Sequence, residues 1–272
     1  MTDRTERSWV PDGLLMDKPH PARMYDYLVG GFHNFAADRQ LADAVGEVYP
    51  HMRSGTVAQR AFLRRAVSFL VDQGIDQFLD MGSGLPTAGN VHEAAQAANP
   101  EARVVYVDND PVVLAHSELM LSEDPRATLI CEDLVNTDAI FNHEEVVALL
   151  DLSRPLGVLL NAALHYVLDD EEAQDAVDRF KDRLVPGSYM VLSHPCLDET
   201  SKEILDRVLP LYQSTSDTKV RSLDQIRQYF DGLELVEPGL VRAPLWRPEA
   251  PDDVLLDEPE QYLGFVGVGR KP

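Results

Sequence analysis

Cysteine is scarce in this sequence of 272 residues, which holds only Cys131 and Cys196. Two thiols cannot build a disulfide framework or a four-thiolate zinc site. Basic residues are also in short supply, with 24 Lys and Arg against 46 Asp and Glu, a net charge of −22. Binding along a phosphate backbone takes clustered Lys and Arg, so nucleic acid is not an expected partner. No apolar run approaches the roughly 18 residues that a membrane span requires, and no membrane partner is expected. The segment from Met1 to Arg7 lacks the apolar stretch of a secretory signal. These absences lead us to expect a cytoplasmic protein with reduced thiols.

What is present is ordinary globular composition, 44% hydrophobic and 26% charged, enough to bury a substantial core. Residues 1–20 read as a flexible tail, 21–73 as an N-terminal helical cap or lid, and 74–272 as a core that forms one structural domain with the cap. Tyr25, Tyr27, Phe32 and Phe35 surround the Gly30-Gly31 pair, a pattern that predicts a short helix, a turn and a second helix. Apolar residues recur at helical spacing from Ala58 to Leu70, with Arg60, Arg64 and Arg65 largely off that stripe.

After Gly74 short apolar runs alternate with helical patterns, the signature of βαβ units and a parallel sheet. Strands are predicted at Gln77–Met81, Arg103–Val107, Ala127–Cys131, Gly157–Asn161 and Ser188–Ser193. Helices are predicted at Ala88–Ala98, Pro111–Leu121, Thr137–Leu150 and Glu171–Leu184. Pro111 suits a first helical turn, and Pro186-Gly187 marks a turn. Residues 197–230 are more polar and helical, with Ser222 and Gln225 spaced as a capping box. Two last strands, Leu233–Val236 and Tyr262–Gly269, enclose a Pro-rich loop.

The strongest chemical signal is the segment from Phe78 to Pro86, with Asp80, Gly82, Ser83 and Gly84 at the end of the first strand. Glycines there let the backbone turn sharply and approach a ligand closely. A pyrophosphate loop reads G-x-G-x-x-G, but Thr87 occupies the third glycine slot and Gly89 comes two residues late. Asp80 would also repel a pyrophosphate, whereas it suits a ligand carrying an ammonium group. The plainer reading is a tight βα turn. Asp108 and Asn109 end the second strand, where a carboxylate can accept from both hydroxyls of a ribose. Asp110 is better placed to cap the helix that starts at Pro111. Asp133, after the third strand, can accept from the amine of an adenine, although acidic residues are common in loops of so acidic a chain. In an open α/β sheet these strand ends face one crevice.

The D-x-G-x-G pattern, the acidic end of the second strand and Glu132-Asp133 together resemble the seven-stranded methyltransferases that use S-adenosyl-L-methionine. The block from Arg23 to Phe35, R-M-Y-D-Y-L-V-G-G-F-H-N-F, is similar to the N-terminal block of one family of small, largely uncharacterised members. That resemblance implies a seven-stranded, mostly parallel, Rossmann-like α/β sheet with an N-terminal helical cap. It implies S-adenosyl-L-methionine as cofactor and methyl transfer as the reaction, and it names no substrate. By the same resemblance Asp80 and Gly82 face the methionine part and Asp108 the ribose, with Ser83, Gly84 and Asn109 also binding the cofactor. Asp133 and Leu134 hold the adenine edge, Asn161 begins the loop beside the sulfonium, and Tyr25 and Asn34 belong to a lid.

A hydroxyl or amine acceptor can require a base. His165 follows the fourth strand, where the methyl should point, and an unperturbed histidine titrates near neutrality. His194 and His33 are further candidates, and the plainer reading of His165 is packing behind the loop. The segment after Asn161 lacks the N-P-P-Y pattern of amino-methylating nucleic-acid enzymes. No metal set is recovered: His143-Glu144-Glu145 and the run from Asp169 to Glu172 are acidic helix starts. The expected partner is a small-molecule methyl acceptor, and a homo-oligomer is compatible with the sequence. Two other classes stay open, a NAD-dependent oxidoreductase sharing the crevice and a non-catalytic S-adenosylmethionine-binding regulatory protein.

Overall fold

The computed structural model describes residues 17–85, 89–121, 124–198, 201–212, 215–251 and 253–272. Most of the expected tail, and Pro86, Thr87 and Ala88 of the glycine segment, lie outside the described residues. Three helices precede the sheet: α1 (Pro21–Leu28), α2 (Ala36–Val48) and α3 (Met52–Asp72). Pro21 opens α1, where its missing N–H costs nothing. The Gly30-Gly31 turn wraps around buried Asp26, whose carboxylate accepts from His33 N and Asn34 Nδ2, each at 2.8 Å. A Cβ on Gly31 would stand 2.0 Å from Asp26 Oδ1, so only glycine fits. Phe32, counted among the aromatics of this block, is exposed.

The sheet is built from β1 (Gln77–Met81), β2 (Arg103–Asp108), β3 (Ala127–Cys131), β4 (Gly157–Asn161), β5 (Tyr189–Pro195), β6 (Glu234–Leu235) and β7 (Gly264–Arg270). Their spatial order is β3-β2-β1-β4-β5-β7-β6. Pairing is parallel except for β7, which runs antiparallel to both β5 and β6. The seven-stranded, mostly parallel α/β sheet expected from sequence is therefore the fold. The central strand β1 is buried throughout, and its side chains alternate between two cores. Leu79 and Met81 join Val105, Val158, Leu160 and Phe180 on one face. Phe78 joins Phe62, Leu70, Leu159 and Trp246 on the other. Strand order reverses between β1 and β4, and a crevice opens at the carboxyl ends of strands at such a switch point.

The remaining helices are α4 (Val91–Ala98), α5 (Pro111–Leu121), α6 (Thr137–Asn142), α7 (Glu144–Leu149), α8 (Asp170–Arg183), α9 (Lys202–Tyr212) and α10 (Leu223–Gln228). The single helix expected over Thr137–Leu150 is divided at His143, whose ψ of 138° is extended and whose Nδ1 accepts from Glu145 N. The ring acts there as a helix cap. Asp169 does the same for α8, accepting from Glu171 N and Glu172 N, and Ser222 with Gln225 forms the expected capping box. Arg65, expected off the packed face of α3, is buried and donates to Trp246 O and Ala243 O at 2.9 Å each. Two carbonyls beside the Pro-rich loop thereby gain a side-chain donor, and burial lowers the arginine's pKa.

Candidate functional site

The ends of β1, β2 and β3 are tied together by the residues that stand out in the sequence. Gly82 and Gly84 have φ of +62° and +65°, a region that favours glycine. A Cβ on Gly82 would come 2.6 Å from that of Ala163, so the β1 loop can lie against the β4 loop only with hydrogen there. Gly84 N donates to Asp108 Oδ2 at 2.9 Å, and Asp110 N donates to Asp108 Oδ1 at 3.0 Å. Asn109 Nδ2 reaches Asp133 Oδ2 at 3.0 Å. Asp110 also carries the backbone start of α5, its carbonyl accepting from Leu114 N.

These strand ends border a cavity of about 710 Å³. Tyr25, Asp80, Gly82, Ser83, Gly84, Asp108, Asn109, Asp133, Leu134 and Asn161 all line it. Asn34 does not: its amide is spent inside the cap on Asp26 and Gly31 O, and its Oδ1 accepts from Arg39. Its expected place in the lid over the cavity is therefore corrected. Burial pushes Asp80 up to about 7, against the attraction of Arg60 and with the added repulsion of Asp108. Burial likewise raises Asp108, although its two backbone donors pull the other way.

Sequence reasoning missed two basic side chains in this wall. Arg60, from the flank of α3, lines the cavity and donates to Asn90 Oδ1 at 3.1 Å. His20 lines it too, and its Nε2 pairs with the Asp110 carboxylate. Its backbone N donates to Asp38 Oδ1 at 2.8 Å, so His20 belongs to the cap and not to the tail. A hydrophobic stripe says which helix face meets the core and nothing of what its flank touches, and Lys18-Pro19-His20-Pro21 carried no signal beyond its prolines.

A second cavity, of about 230 Å³, lies on the far side of Tyr25, Ala162 and Tyr166, which line both. Its walls come from α1, α3, α9, the end of β5 and the approach to β7. Ala162, at the junction, has φ of +56°, a strained setting for a residue with a Cβ. A closed network holds it there. Ala162 N and Gln59 Nε2 both donate to Ser193 Oγ, at 2.8 and 3.0 Å, Ser193 Oγ donates to Asn161 Oδ1, and Tyr262 Oη donates to Gln59 Oε1.

His165 and His194 line this second cavity. Arg221 Nη1 donates to His194 Nε2 at 3.0 Å, so that nitrogen accepts, and Nδ1 carries the proton toward Pro195 O at 2.7 Å. Both ring nitrogens are engaged and burial pushes the pKa down to about 4, which removes His194 as a base. His165 is half-buried, and its Nδ1 is withdrawn from solvent without a partner. Burial, with the charges of His194 and Arg221, pushes it down to about 3. The expectation that it titrates near neutrality is corrected accordingly. His33 lies in the cap beside Asp26, outside both sets of lining residues.

Behind the histidines stands Arg221, fully buried. It donates to the carbonyls of Leu164, Val167 and Asp169 at 3.3, 2.8 and 3.2 Å, and to Asp170 Oδ1 at 3.0 Å. One guanidinium thus fixes the whole loop from β4 to α8. Among the described residues no cluster of three or more His, Cys, Asp or Glu could hold a metal ion, and no helix is long and apolar enough to cross a membrane.

Comparison with known proteins gives a consistent picture. Residues 7–272 match the model of a family described as S-adenosyl methyltransferase. A crystal structure from Thermobifida fusca YX, of a protein designated a methyltransferase, is similar at 40% identity and a TM-score of 0.89, covering 97% of this chain and 99% of that one. A DUF574 family protein from Streptomyces avermitilis MA-4680 is similar at 36% identity and a TM-score of 0.88, covering 94% and 99%. No curated protein matches.

Proposed function

This chain belongs to the S-adenosyl methyltransferase family and takes its methyl group from S-adenosylmethionine; from that premise we propose that the larger cavity holds the cofactor and that the smaller one holds a small-molecule acceptor. The observation that carries this reading is the shared wall of Tyr25, Ala162 and Tyr166. Two ligands seated on either side of one residue layer can meet end to end, and holding reactants in that geometry supplies much of a transfer reaction's advantage.

The fit to the cofactor is a matter of charge. Asp133 and Leu134 face the adenine, and Asp108 accepts from the ribose hydroxyls while keeping Gly84 in place. Asn109, with Ser83, closes the ribose end. Asp80 answers the cationic ammonium of the methionine part, and Arg60, which sequence reading left on an outer helix face, answers its carboxylate. Gly82 and Asn161 border the sulfonium. The cofactor supplies an activated methyl together with its own leaving group. The protein's part is to orient, to exclude water and to receive a proton, for which His165 in the acceptor cavity is the candidate. Residues 21–73 act as a lid over both cavities, with the block from Arg23 to Phe35 as its family-specific part. Both cysteines are free thiols, in keeping with a cytoplasmic site of action.

Parallel calorimetric titrations with S-adenosylmethionine, S-adenosylhomocysteine and NAD test the reading. We expect micromolar binding of the two sulfur nucleosides, about −8 kcal/mol, and none of NAD. Binding of NAD alone would overturn it in favour of hydride chemistry. Tight cofactor binding without S-adenosylhomocysteine release across a broad acceptor screen would instead identify a non-catalytic cofactor-binding protein.

A further inference from the structure

Resting on that reading of the two cavities, we propose that the acceptor is an uncharged ring bearing a hydroxyl, methylated at oxygen, with the hydroxyl donating to Nδ1 of His165. The size of the second cavity is one ground. An apolar cavity of about 150 Å³ already admits a benzene ring, so about 230 Å³ takes one substituted ring or a small bicycle. Leu28, Met52, Leu205, Val208, Tyr212 and Tyr262 supply flat and apolar wall for it.

The stronger ground is charge. Among its described lining residues there is no Asp, Glu, Lys or Arg. Its two histidines are held neutral by burial. Of the guanidiniums behind the walls, Arg221 pairs with Asp170 at 3.0 Å and Arg242 with Asp198 at 2.7 Å, while Arg53 is spent on the carbonyls of Tyr27 and Leu28. Taking an ion out of water without a partner costs far more than a ring's burial returns. A carboxylate or an ammonium therefore has no place here, and an aliphatic amine would first have to shed its proton.

The polar groups narrow the choice further. Gln59 and Ser193 are committed to Tyr262, Asn161 and Ala162. Tyr49 Oη donates to Gln261 O and Tyr212 Oη to Met52 Sδ at 3.8 Å, so both hydroxyls are already directed at protein atoms. His165 Nδ1 is buried and without a hydrogen-bond partner, whereas both ring nitrogens of His194 are engaged. A nitrogen of such low basicity cannot strip a phenol-type hydroxyl in advance. As the oxygen–carbon bond forms and the carbon–sulfur bond breaks, its electron pair staying on sulfur, the oxygen becomes strongly acidic. Even a weak base then takes its proton and passes it to water.

The test uses phenol, benzoate and benzylamine as single-ring probes, with S-adenosylhomocysteine present and ligand-observed NMR as readout. Phenol is expected to bind at least tenfold more tightly than either ion. Gly55→Leu, which grows a side chain toward Tyr49 and Tyr262, should abolish phenol binding and leave S-adenosylhomocysteine affinity within twofold. Gln59→Glu places a carboxylate in the wall and should raise benzylamine affinity at least tenfold. His165→Ala should weaken phenol about fivefold, as expected for one lost hydrogen bond, while anisole, which has no hydroxyl to donate, binds both proteins alike. Benzoate or benzylamine binding as tightly as phenol, phenol binding that survives Gly55→Leu, or equal losses of phenol and anisole would each overturn the proposal. Failure to bind S-adenosylhomocysteine would instead overturn the reading of the larger cavity.

Discussion

The two cavities share a wall and differ in almost everything else. The larger is lined by the carboxylates Asp80, Asp108, Asp110, Glu132, Asp133, Asp169 and Glu172 together with Arg60 and His20. The smaller has no ionised residue among its described lining. A donor that carries three charges is best held by fixed charges of opposite sign. A neutral nucleophile is best presented in a dry pocket that offers nothing to an ion. The contrast teaches that the specificity of this fold is divided by physics: charge complementarity for the donor and charge exclusion for the acceptor.

The most forceful way to break the comparison is to remove the buried guanidinium that shapes the neutral side. Arg221→Met strands the buried carbonyl of Val167 and the buried Nε2 of His194, and it takes one of two donors from the carbonyls of Leu164 and Asp169. Each buried unsatisfied group costs about 1–3 kcal/mol, so a loss of about 3 kcal/mol is expected. At roughly 2–4 °C per kcal/mol for chains of this size, the melting temperature should fall by about 6–12 °C. An unchanged melting curve would mean that the loop from β4 to α8 holds itself.

On the charged side the expected effect is somewhat smaller and falls on affinity. Asp108→Ala removes the proposed ribose acceptor and releases Gly84 N. Losing hydrogen bonds to a charged group costs about 2 kcal/mol, or roughly 30-fold weaker S-adenosylhomocysteine binding by calorimetry. A change within twofold would refute the ribose assignment.

Acidity separates the two sides without any mutation. Asp80 has its folded pKa raised to about 7 from the ordinary 3.8 of a free aspartate, so the free folded state binds a proton more tightly than the unfolded chain. Its contribution to stability is therefore lost as pH rises from about 4 through about 7. The cofactor's positive groups favour the carboxylate, so binding below that pKa must release a proton. Affinity should rise about tenfold between about pH 6 and pH 7.5, with proton release visible in buffers of different ionisation enthalpy. Phenol affinity for the second cavity should stay flat over the same range, because His165 and His194 titrate at about 3 and about 4. Matching pH profiles would remove the distinction.

The same division decides what could be read from the sequence. The larger cavity draws on positions 80–84, 108–109, 133–134 and 161, which close successive strands of one parallel sheet. Each strand announces itself by a short apolar run, so its end could be located and its polar residues weighed. The smaller cavity takes Gln59 from α3, Tyr212 from the end of α9 and Tyr262 from the loop before β7. No local pattern joins such residues; only the packing of helices on the sheet does. Arg60 and Arg221 were illegible for the same reason, since one leaves the flank of an amphipathic helix and the other sits in a loop. The break at His143 was missed because a histidine that caps a helix looks like any other in an acidic run.

The smallest expected effect lies where the two cavities join. Ala162 is kept at φ +56° by the donation of its N–H to Ser193 Oγ. Replacing it with glycine relieves the strain of a Cβ in that region but frees the unfolded chain, and the two effects nearly offset each other. Ala162→Gly should stabilise the protein by no more than about 0.5–1 kcal/mol, a rise of roughly 1–4 °C in melting temperature. Turnover, in contrast, should fall, because the β4 loop would no longer be confined to the one conformation that sets both ligands end to end. If turnover and melting temperature rose together, the strain at Ala162 would be incidental and the shared wall would not position the reaction.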